Sequence, residues 1–388
     1  MISELPFPHH SYQHVPVDDD FELIPASAAV PIEDPAADHI PKVASRFRAN
    51  NVREIVLVHG TFVGNDIAGL LREIARFSPQ FADVLKRLGK RVFDQVTGEI
   101  GNYTSTFAGR LEKLVNDSDS DPIKVSLFHW SGENHHLGRA AGAMSLLEHI
   151  LNAGYEPSDR MMIWGHSHGG NLLAMLSLLV GGSQAAKERF FKATRSHYRD
   201  PILGRLDLPL WDAMRQELSR SNLKEKLPQI DAVNFGVPLR YRWNRDVVPG
   251  LLNFVQHRSL DEAHPERAKF PTSIREVIGA RGGDYVQQLG IGGTDFLHSV
   301  FAWRSWNSER RLRLMFAKDV RRRDLLDNIR RGLRVSMDGK TLLVDYPTTK
   351  KKWNQKVVGH GVYTRHEWIP FHLNQIASRM YKDQTHDS

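Results

Sequence analysis

The segment that constrains this chain most spans residues 161–173, where two apolar runs meet at a glycine-rich turn. It reads Met-Met-Ile-Trp-Gly-His-Ser-His-Gly-Gly-Asn-Leu-Leu. The four apolar residues at its start predict a buried strand, and the apolar run 172–180 predicts a buried helix. Gly165 and Gly169 leave room where a β-carbon would collide with the neighbouring strand or helix. We therefore expect a tight strand-to-helix turn that presents the hydroxyl of Ser167 in front of the first N–H groups of the helix.

The rest of the chain alternates strand-like apolar runs with helical patterns. The runs that predict strands lie at 54–62, 123–130, 160–164, 231–238, 251–257 and 341–346. Their nearly continuous apolar character indicates strands that are buried on both faces, as in a parallel sheet. We therefore predict an α/β fold, with a mostly parallel sheet flanked by helices and reactive groups beyond the carboxyl ends of its strands.

Domain boundaries follow from where this alternation starts and stops. Residues 1–50 are rich in Pro, Ala and Asp without sustained periodicity, so they predict an extended or disordered arm. We assign 51–382 to the α/β domain and 383–388 to a C-terminal tail. Two insertions with helical patterns, at about 181–228 and 260–338, are expected to form a lid over the domain.

Composition excludes several kinds of site. The chain of 388 residues has no cysteine, which excludes disulfides, thiolate metal sites and a cysteine nucleophile. It has 19 histidines, but His366 and His372 are separated by Pro370 and do not share a helix face, so we expect neither a metal nor a cofactor. The N-terminus lacks a basic start followed by an apolar core, and no apolar run is long enough to cross a bilayer. We therefore expect a cytoplasmic protein without a signal peptide.

The formal charge of +7 is concentrated in the second insertion. Arginines recur throughout 304–334, and Leu325, Leu326, Ile329 and Leu333 lie among them at helical spacing. Such a basic amphipathic helix is typical either of a solvated lid or of peripheral contact with an anionic membrane surface. We expect no nucleic-acid partner, because no nucleic-acid-binding motif accompanies the charge.

A serine nucleophile needs a base on another loop at the same edge of the sheet. His360 is flanked by glycines in the loop between the last strand and the last helix, and it is our preferred base. His366 follows in the same region and is the reserve. His372 is expected to lie on the last helix.

The acid that would orient this histidine is left open by the sequence. Asp261 follows the fifth strand closely, Asp284 lies in Gly-Gly-Asp-Tyr, and Asp295 follows a short apolar run that breaks at glycines. Each would also suit a helix cap or a turn. We favour Asp295, then Asp284, then Asp261.

These elements together resemble the α/β-hydrolase superfamily, especially its lipase-like bacterial members. The resemblance covers about 51–382 and is carried by the strand that ends in His59-Gly60, by Gly-His-Ser-His-Gly, and by an aspartate followed by a late histidine. It implies that Ser167 is the nucleophile. It also implies that the backbone N–H of Thr61 or Phe62 joins that of His168 in an oxyanion hole. The long excursion between the fifth and sixth strands departs from the family pattern.

The resemblance implies a serine hydrolase that cleaves carboxylic esters through an acyl-serine intermediate and a Ser-His-Asp triad. An apolar first insertion and a basic second insertion suggest a lid over a site for lipid-like esters. The alternative is a non-catalytic protein of the same fold that binds a lipid or a protein partner.

Overall fold

A sheet of seven parallel strands forms the centre of the fold. The computed structural model describes residues 6–11, 13–31, 40–60, 103–116, 121–200, 204–206, 208–272, 276, 279–291, 303–316, 322–347 and 359–381. The strands are β1 (Phe21–Ile24), β2 (Val52–Val58), β3 (Lys124–Phe128), β4 (Arg160–His166), β5 (Gln229–Phe235), β6 (Gly250–Gln256) and β7 (Lys340–Val344). Their order across the sheet is β1-β7-β6-β5-β4-β2-β3. The predicted α/β class and parallel sheet are confirmed.

Helices cover both faces of this sheet. They are α1 (Pro41–Ala49), α2 (Ser105–Val115), α3 (His136–Asn152), α4 (His168–Gly181), α5 (Gln184–Tyr198), α6 (Pro209–Ser219), α7 (Leu223–Lys226), α8 (Tyr285–Gly290), α9 (Trp303–Phe316), α10 (Arg322–Arg331) and α11 (Ile369–Met380). Two short 3-10 turns, His360–Thr364 and His366–Trp368, precede α11. No helix among these has the length and apolar character needed to cross a membrane.

Strand β4 shows how the sequence produces two apolar layers. Met161 and Ile163 lie in the core cluster that contains the buried residues of α3 and α4. Met162 and Trp164 lie in the other cluster, with residues of α1, α2 and α11. Because successive side chains of a strand point to opposite faces, a strand covered on both sides must be apolar at every position.

The N-terminal segment differs from its expected form. Within 1–50, predicted as an extended or disordered arm, β1 pairs in parallel with β7 and α1 packs against α11 and β2. Phe47 of α1 is fully buried, and its ring lies 5.4 Å from that of Tyr381. Strand β1 has only four residues, so its pattern was too short to predict a strand.

The two insertions contain helices, as the sequence predicts. In the first, α5, α6 and α7 lie between α4 and β5, and Trp211, Met214 and Leu218 are buried. In the second, α9 packs against α5 and α3. Ile329 and Leu333 are buried, whereas the side chains of 325 and 326, like the tail 383–388, lie outside the described residues.

One basic residue of the second insertion is placed differently from the prediction. Arg334, which the sequence groups with the basic surface 304–334, is fully buried. Its Nη1 donates to the carbonyl oxygen of Gln256 at 2.6 Å, and the guanidinium lies over the ring of Tyr285. The aromatic face and the carbonyl supply a site in which the stem of Arg334 packs and its charge is partly balanced.

Candidate active site

Ser167 occupies a strained turn between β4 and α4. Its backbone has φ 51° and ψ −131°, a conformation that residues with a β-carbon rarely adopt. The N–H of Ser167 donates to the carbonyl oxygen of Phe235 at 2.9 Å, which fixes the turn to the end of β5. The side chain is 1% exposed, and its Oγ has no hydrogen-bond partner among the described residues. The backbone therefore fixes the position of the hydroxyl, which makes no hydrogen bond to the described residues.

Two glycines let the chain pass through this turn. A β-carbon on Gly169 would lie 2.6 Å from the carbonyl oxygen of His59. A β-carbon on Gly165 would lie 2.6 Å from Cα of Gly170, at the start of α4. Neither backbone can move aside without disturbing the sheet or the helix, which is the steric role that the sequence predicts for both residues.

His360 and Asp284 form a buried pair at the same edge of the sheet. His360 Nδ1 lies 2.7 Å from Asp284 Oδ2. The carboxylate also accepts from the hydroxyl of Tyr363 at 2.9 Å and from the backbone N–H of Gln287 at 2.9 Å. Because Nδ1 faces a carboxylate, it carries the ring proton, and Nε2 is left as the basic nitrogen.

The surroundings of Asp284 keep its carboxyl group ionised. Burial by itself raises the pKa of Asp284. The charge and hydrogen bond of His360, the N–H of Gln287 and the charge of Arg334 act in the opposite direction. Together they outweigh burial and lower the pKa of Asp284 below its ordinary value. An ionised Asp284 can hold the His360 ring in one orientation and stabilise its protonated form.

The pair lies beside the serine turn. Gly236 directly follows Phe235, and a β-carbon there would lie 2.6 Å from Asp284 Oδ2 and 3.1 Å from Cε1 of His360. His166 Nε2 lies 3.3 Å from the carbonyl oxygen of His360, and the two rings are 4.5 Å apart. Ser167 and His360 do not form a hydrogen bond; such contacts often tighten only when substrate is bound.

Of the three candidate acids, the structure brings Asp284 to His360. Its N–H donates to the carbonyl oxygen of Gln256, the last residue of β6, which fixes it at the carboxyl edge of the sheet. Asp261 is partly exposed, and its Oδ1 accepts from the N–H of Ala263 in its own turn. Asp295, the candidate that the sequence favoured, lies outside the described residues.

The other two candidate histidines have different surroundings. His366 packs against the ring of Phe107, with centroids 5.7 Å apart. His372 lies on α11 as expected, and its Nε2 is 2.9 Å from the hydroxyl of Tyr346. Among the candidate bases, the structure thus places His360 against a carboxylate.

The predicted oxyanion donors are described in part. His168 is the first residue of α4, where N–H groups have no partner within the helix. Thr61 and Phe62 lie outside the described residues. The preceding Gly60 lies against the serine, since a β-carbon on it would be 2.7 Å from Cβ of Ser167. The chain therefore leaves β2 directly beside Ser167.

Two site residues were missed by the sequence analysis. Tyr363 donates to Asp284 and accepts from the N–H of Gln256 at 2.7 Å, so it joins the acid to β6. Arg334 contributes its charge from within the second insertion. The closeness of Tyr363 to His360 in sequence was a signal that could have placed Tyr363 at the site. No such signal exists for Arg334, because an arginine is ordinarily expected at the protein surface.

The described residues contain no group of three or more histidine and acidic side chains that could hold a metal ion. No protein-family model matches this chain, and neither the curated proteins nor the solved structures include a match to it.

Proposed function

We propose that this protein is a serine hydrolase of the α/β-hydrolase type that cleaves carboxylic esters through an acyl-serine intermediate. The observation that carries the proposal is the 2.7 Å contact between His360 Nδ1 and Asp284 Oδ2, beside the strained Ser167. The order along the chain also supports it, because the serine follows β4, the aspartate follows β6 and the histidine follows β7. All three lie at the carboxyl edge of one parallel sheet, as in nucleophile-elbow hydrolases.

In the first half of the reaction, His360 Nε2 accepts the hydroxyl proton of Ser167 while Oγ attacks the ester carbonyl carbon. Asp284 stabilises the imidazolium that forms and retains the Nδ1 proton in its hydrogen bond. Collapse of the tetrahedral intermediate breaks the bond to the alcohol, which leaves with the proton from Nε2. The acyl group is then esterified to Ser167.

In the second half, water attacks the acyl-serine and gives one proton to His360 Nε2. This proton returns to Ser167 Oγ as the carboxylic acid leaves, so the enzyme is restored. The backbone N–H of His168, with a second donor from the chain after Gly60, would bind the oxyanion in both steps. Each such donor typically lowers the barrier by about 3 kcal/mol.

The surface of the second insertion supports a lipid-like substrate at a membrane. On α9, Trp306 is 46% exposed and Leu314 is 50% exposed. Arg310 and Arg311 are exposed on the same helix. Exposed Trp and Leu interspersed with Arg are typical of helices that lie in the interface of anionic membranes. We therefore include peripheral contact with such a surface in the proposal.

A fluorophosphonate probe tests the nucleophile directly, because it reacts with serines that have an active base. We expect the wild-type protein to be labelled and Ser167→Ala to be unlabelled. Ser177→Ala is the matched control: Ser177 is also buried on α4, but its Oγ donates to the carbonyl oxygen of Ala174. Labelling that persists in Ser167→Ala would refute the proposal. Folded wild-type protein that is never labelled would favour a non-catalytic binding protein.

A further inference from the structure

A guanidinium is fully buried close to the serine turn. Arg139, on α3, is 0% exposed. Its Nε donates to the hydroxyl of Tyr241 at 3.0 Å and its Nη1 to Oδ1 of Asn134 at 3.2 Å. Its Nη2 is buried without an acceptor in the part of the chain that the structure describes. Buried charges in proteins are ordinarily paired and hydrogen-bonded, so this one calls for a partner.

Among the described residues, the carboxylate whose charge acts on Arg139 is already engaged. Glu309, on α9, attracts the guanidinium without forming an ion pair with it among the described residues. Its two oxygens accept from the backbone N–H groups of His136 at 3.0 Å and Leu137 at 2.7 Å. The negative charge of Glu309 is thus held at the N-terminus of α3, where it also offsets the helix dipole.

A second arginine adds to the positive charge of this region. Arg240 is 4% exposed, and its Nη1 donates to the carbonyl oxygen of Ile291 at 2.8 Å. Burial, then the charges of Arg139 and Arg240, lower the pKa of His168 well below its ordinary value. His168 is therefore neutral. Among the described residues, the guanidinium groups of Arg139 and Arg240 both act on His168, and the carboxylate that attracts Arg139, Glu309, is held by backbone N–H groups.

The position of Arg139 connects this charge to the reacting serine. His168 directly follows Ser167, and its Nδ1 lies 3.5 Å from Nη1 of Arg139 and 3.2 Å from Nδ2 of Asn171. Since both neighbours are donors, Nδ1 is the acceptor and the ring proton is on Nε2. The guanidinium therefore contacts the imidazole ring of the residue that directly follows Ser167.

We propose that Arg139, reinforced by the charge of Arg240, binds an anionic oxygen group of the substrate, either a carboxylate or a phosphate. This role rests on the proposed hydrolase function, which it narrows to esters that carry a negative charge near the bond to be cleaved. The anion accepts from Nη2 and supplies the missing counter-charge through a charge-assisted hydrogen bond. A neutral ester leaves the buried guanidinium unpaired and is selected against.

Anion binding can be measured without hydrolysis. Ser167→Ala is titrated with acetate, inorganic phosphate or chloride at equal ionic strength, and the melting temperature is followed. We expect a saturable rise with acetate if the site prefers a carboxylate, or with phosphate if it prefers a phosphate, beyond any effect of chloride. The same rise should be lost in Ser167→Ala combined with Arg139→Met. A response to neither anion, or one that survives Arg139→Met, overturns the proposal.

Two further variants separate loss of the site from loss of the fold. Arg139→Lys keeps a buried positive charge, so it should retain a weakened anion response. Arg215→Gln removes an exposed arginine on α6, to which no role is assigned, and should respond like the parent protein. If Arg139→Met lacks the native near-ultraviolet circular dichroism spectrum, it is not folded, and the anion response of Arg139→Lys is the test. A response of Arg139→Lys that is as strong as that of the parent protein overturns the proposal.

Substrate preference provides the second measurement. We compare the 4-nitrophenyl esters of butyrate and of succinate, whose acyl chains have equal length but differ in a terminal carboxylate. Where acetate binds, Arg139→Met should lower kcat/KM for the succinate ester by about tenfold or more and leave the butyrate ester nearly unchanged. Equal losses on both esters would contradict a role in binding the anion. Where phosphate alone binds, inorganic phosphate should inhibit butyrate hydrolysis in the wild type and not in Arg139→Met.

The two proposals fail in different ways. Anion binding by a protein whose Ser167 is never labelled would leave the anion site intact and remove the hydrolase function. Labelling of Ser167 without any anion effect would leave the hydrolase function intact and remove the anion site.

Discussion

Replacing Ser167 with glycine should reveal strain that is stored in the serine turn. At φ 51° and ψ −131° a residue with a β-carbon is strained by about 1–3 kcal/mol, whereas glycine adopts this conformation freely. The change from serine also removes a buried hydroxyl and a β-carbon that packs against Gly60. A direct comparison with the wild type would therefore mix several contributions to the free energy of unfolding.

Comparing alanine with glycine at two sites isolates the backbone contribution. Ser177 is buried on the same helix but lies in its interior, where glycine is less stable than alanine by about 1 kcal/mol. At position 167 the change from alanine to glycine also loses β-carbon packing and costs backbone entropy, but the relief of backbone strain there offsets part of this loss of stability. We expect the Ala-to-Gly change to be about 2 kcal/mol more favourable at 167 than at 177.

Urea denaturation of Ser167→Ala, Ser167→Gly, Ser177→Ala and Ser177→Gly measures this difference. The free energy of unfolding is obtained from the midpoint of each transition and from the slope m of that free energy against urea concentration, which the variants should share. If the Ala-to-Gly change costs the same free energy at both sites, the turn is not strained. Because neither alanine nor glycine supplies a hydroxyl at 167, fluorophosphonate labelling should be absent from both variants at that position, whatever their stability.

Three further measurements follow from the site and its surroundings. Asp284→Asn should lower kcat by about 10⁴-fold, since an amide cannot stabilise the imidazolium, whereas Asp261→Asn should leave ester hydrolysis unchanged. Burial lowers the pKa of His372 to about 3, so the unfolded chain binds its proton first as the pH falls below about 6.5. The free energy of unfolding should therefore fall between about pH 6.5 and 3, and His372→Gln should reduce the slope by about 1.4 kcal/mol per pH unit. Trp306→Ser should weaken sedimentation with vesicles that contain phosphatidylserine; binding that is insensitive to this change and to salt would contradict contact through α9.

Most of the sheet and the position of the serine could be predicted from the sequence because their causes are local. A strand covered on both faces must be apolar throughout, and β4 carries this requirement in Met161, Met162, Ile163 and Trp164. The serine turn needs glycines at fixed offsets, which the sequence displays directly. By contrast, β1 is short and gains its stability from pairing with β7, which no local pattern reveals.

The aspartate that pairs with His360 could not be predicted from the sequence, because the pairing depends on contacts between segments that are distant in the chain. Asp261, Asp284 and Asp295 all lie in turn-like sequence after the fifth strand, and each could cap a turn or a helix. Asp284 meets His360 because its N–H bonds back to Gln256 at the end of β6. The contact between Asp284 and His360 therefore depends on the path of the whole segment between β6 and β7.

The two buried arginines, Arg334 and Arg139, carry the same guanidinium group but differ in the groups that surround it. Arg334 and Arg139 are both fully buried, and burial lowers the pKa of each guanidinium. Arg334 acts on a carboxylate that the fold keeps ionised, Asp284, so its charge is balanced within the protein and supports the histidine. Hydroxyl, amide and imidazole groups accept hydrogen bonds from Arg139, and the carboxylate that attracts it, Glu309, is bonded to backbone N–H groups of α3. The charge of Arg334 stabilises the ionised form of Asp284. Under our proposal, the buried charge of Arg139 remains costly until an anion binds, and in this way it contributes to the selection of the substrate.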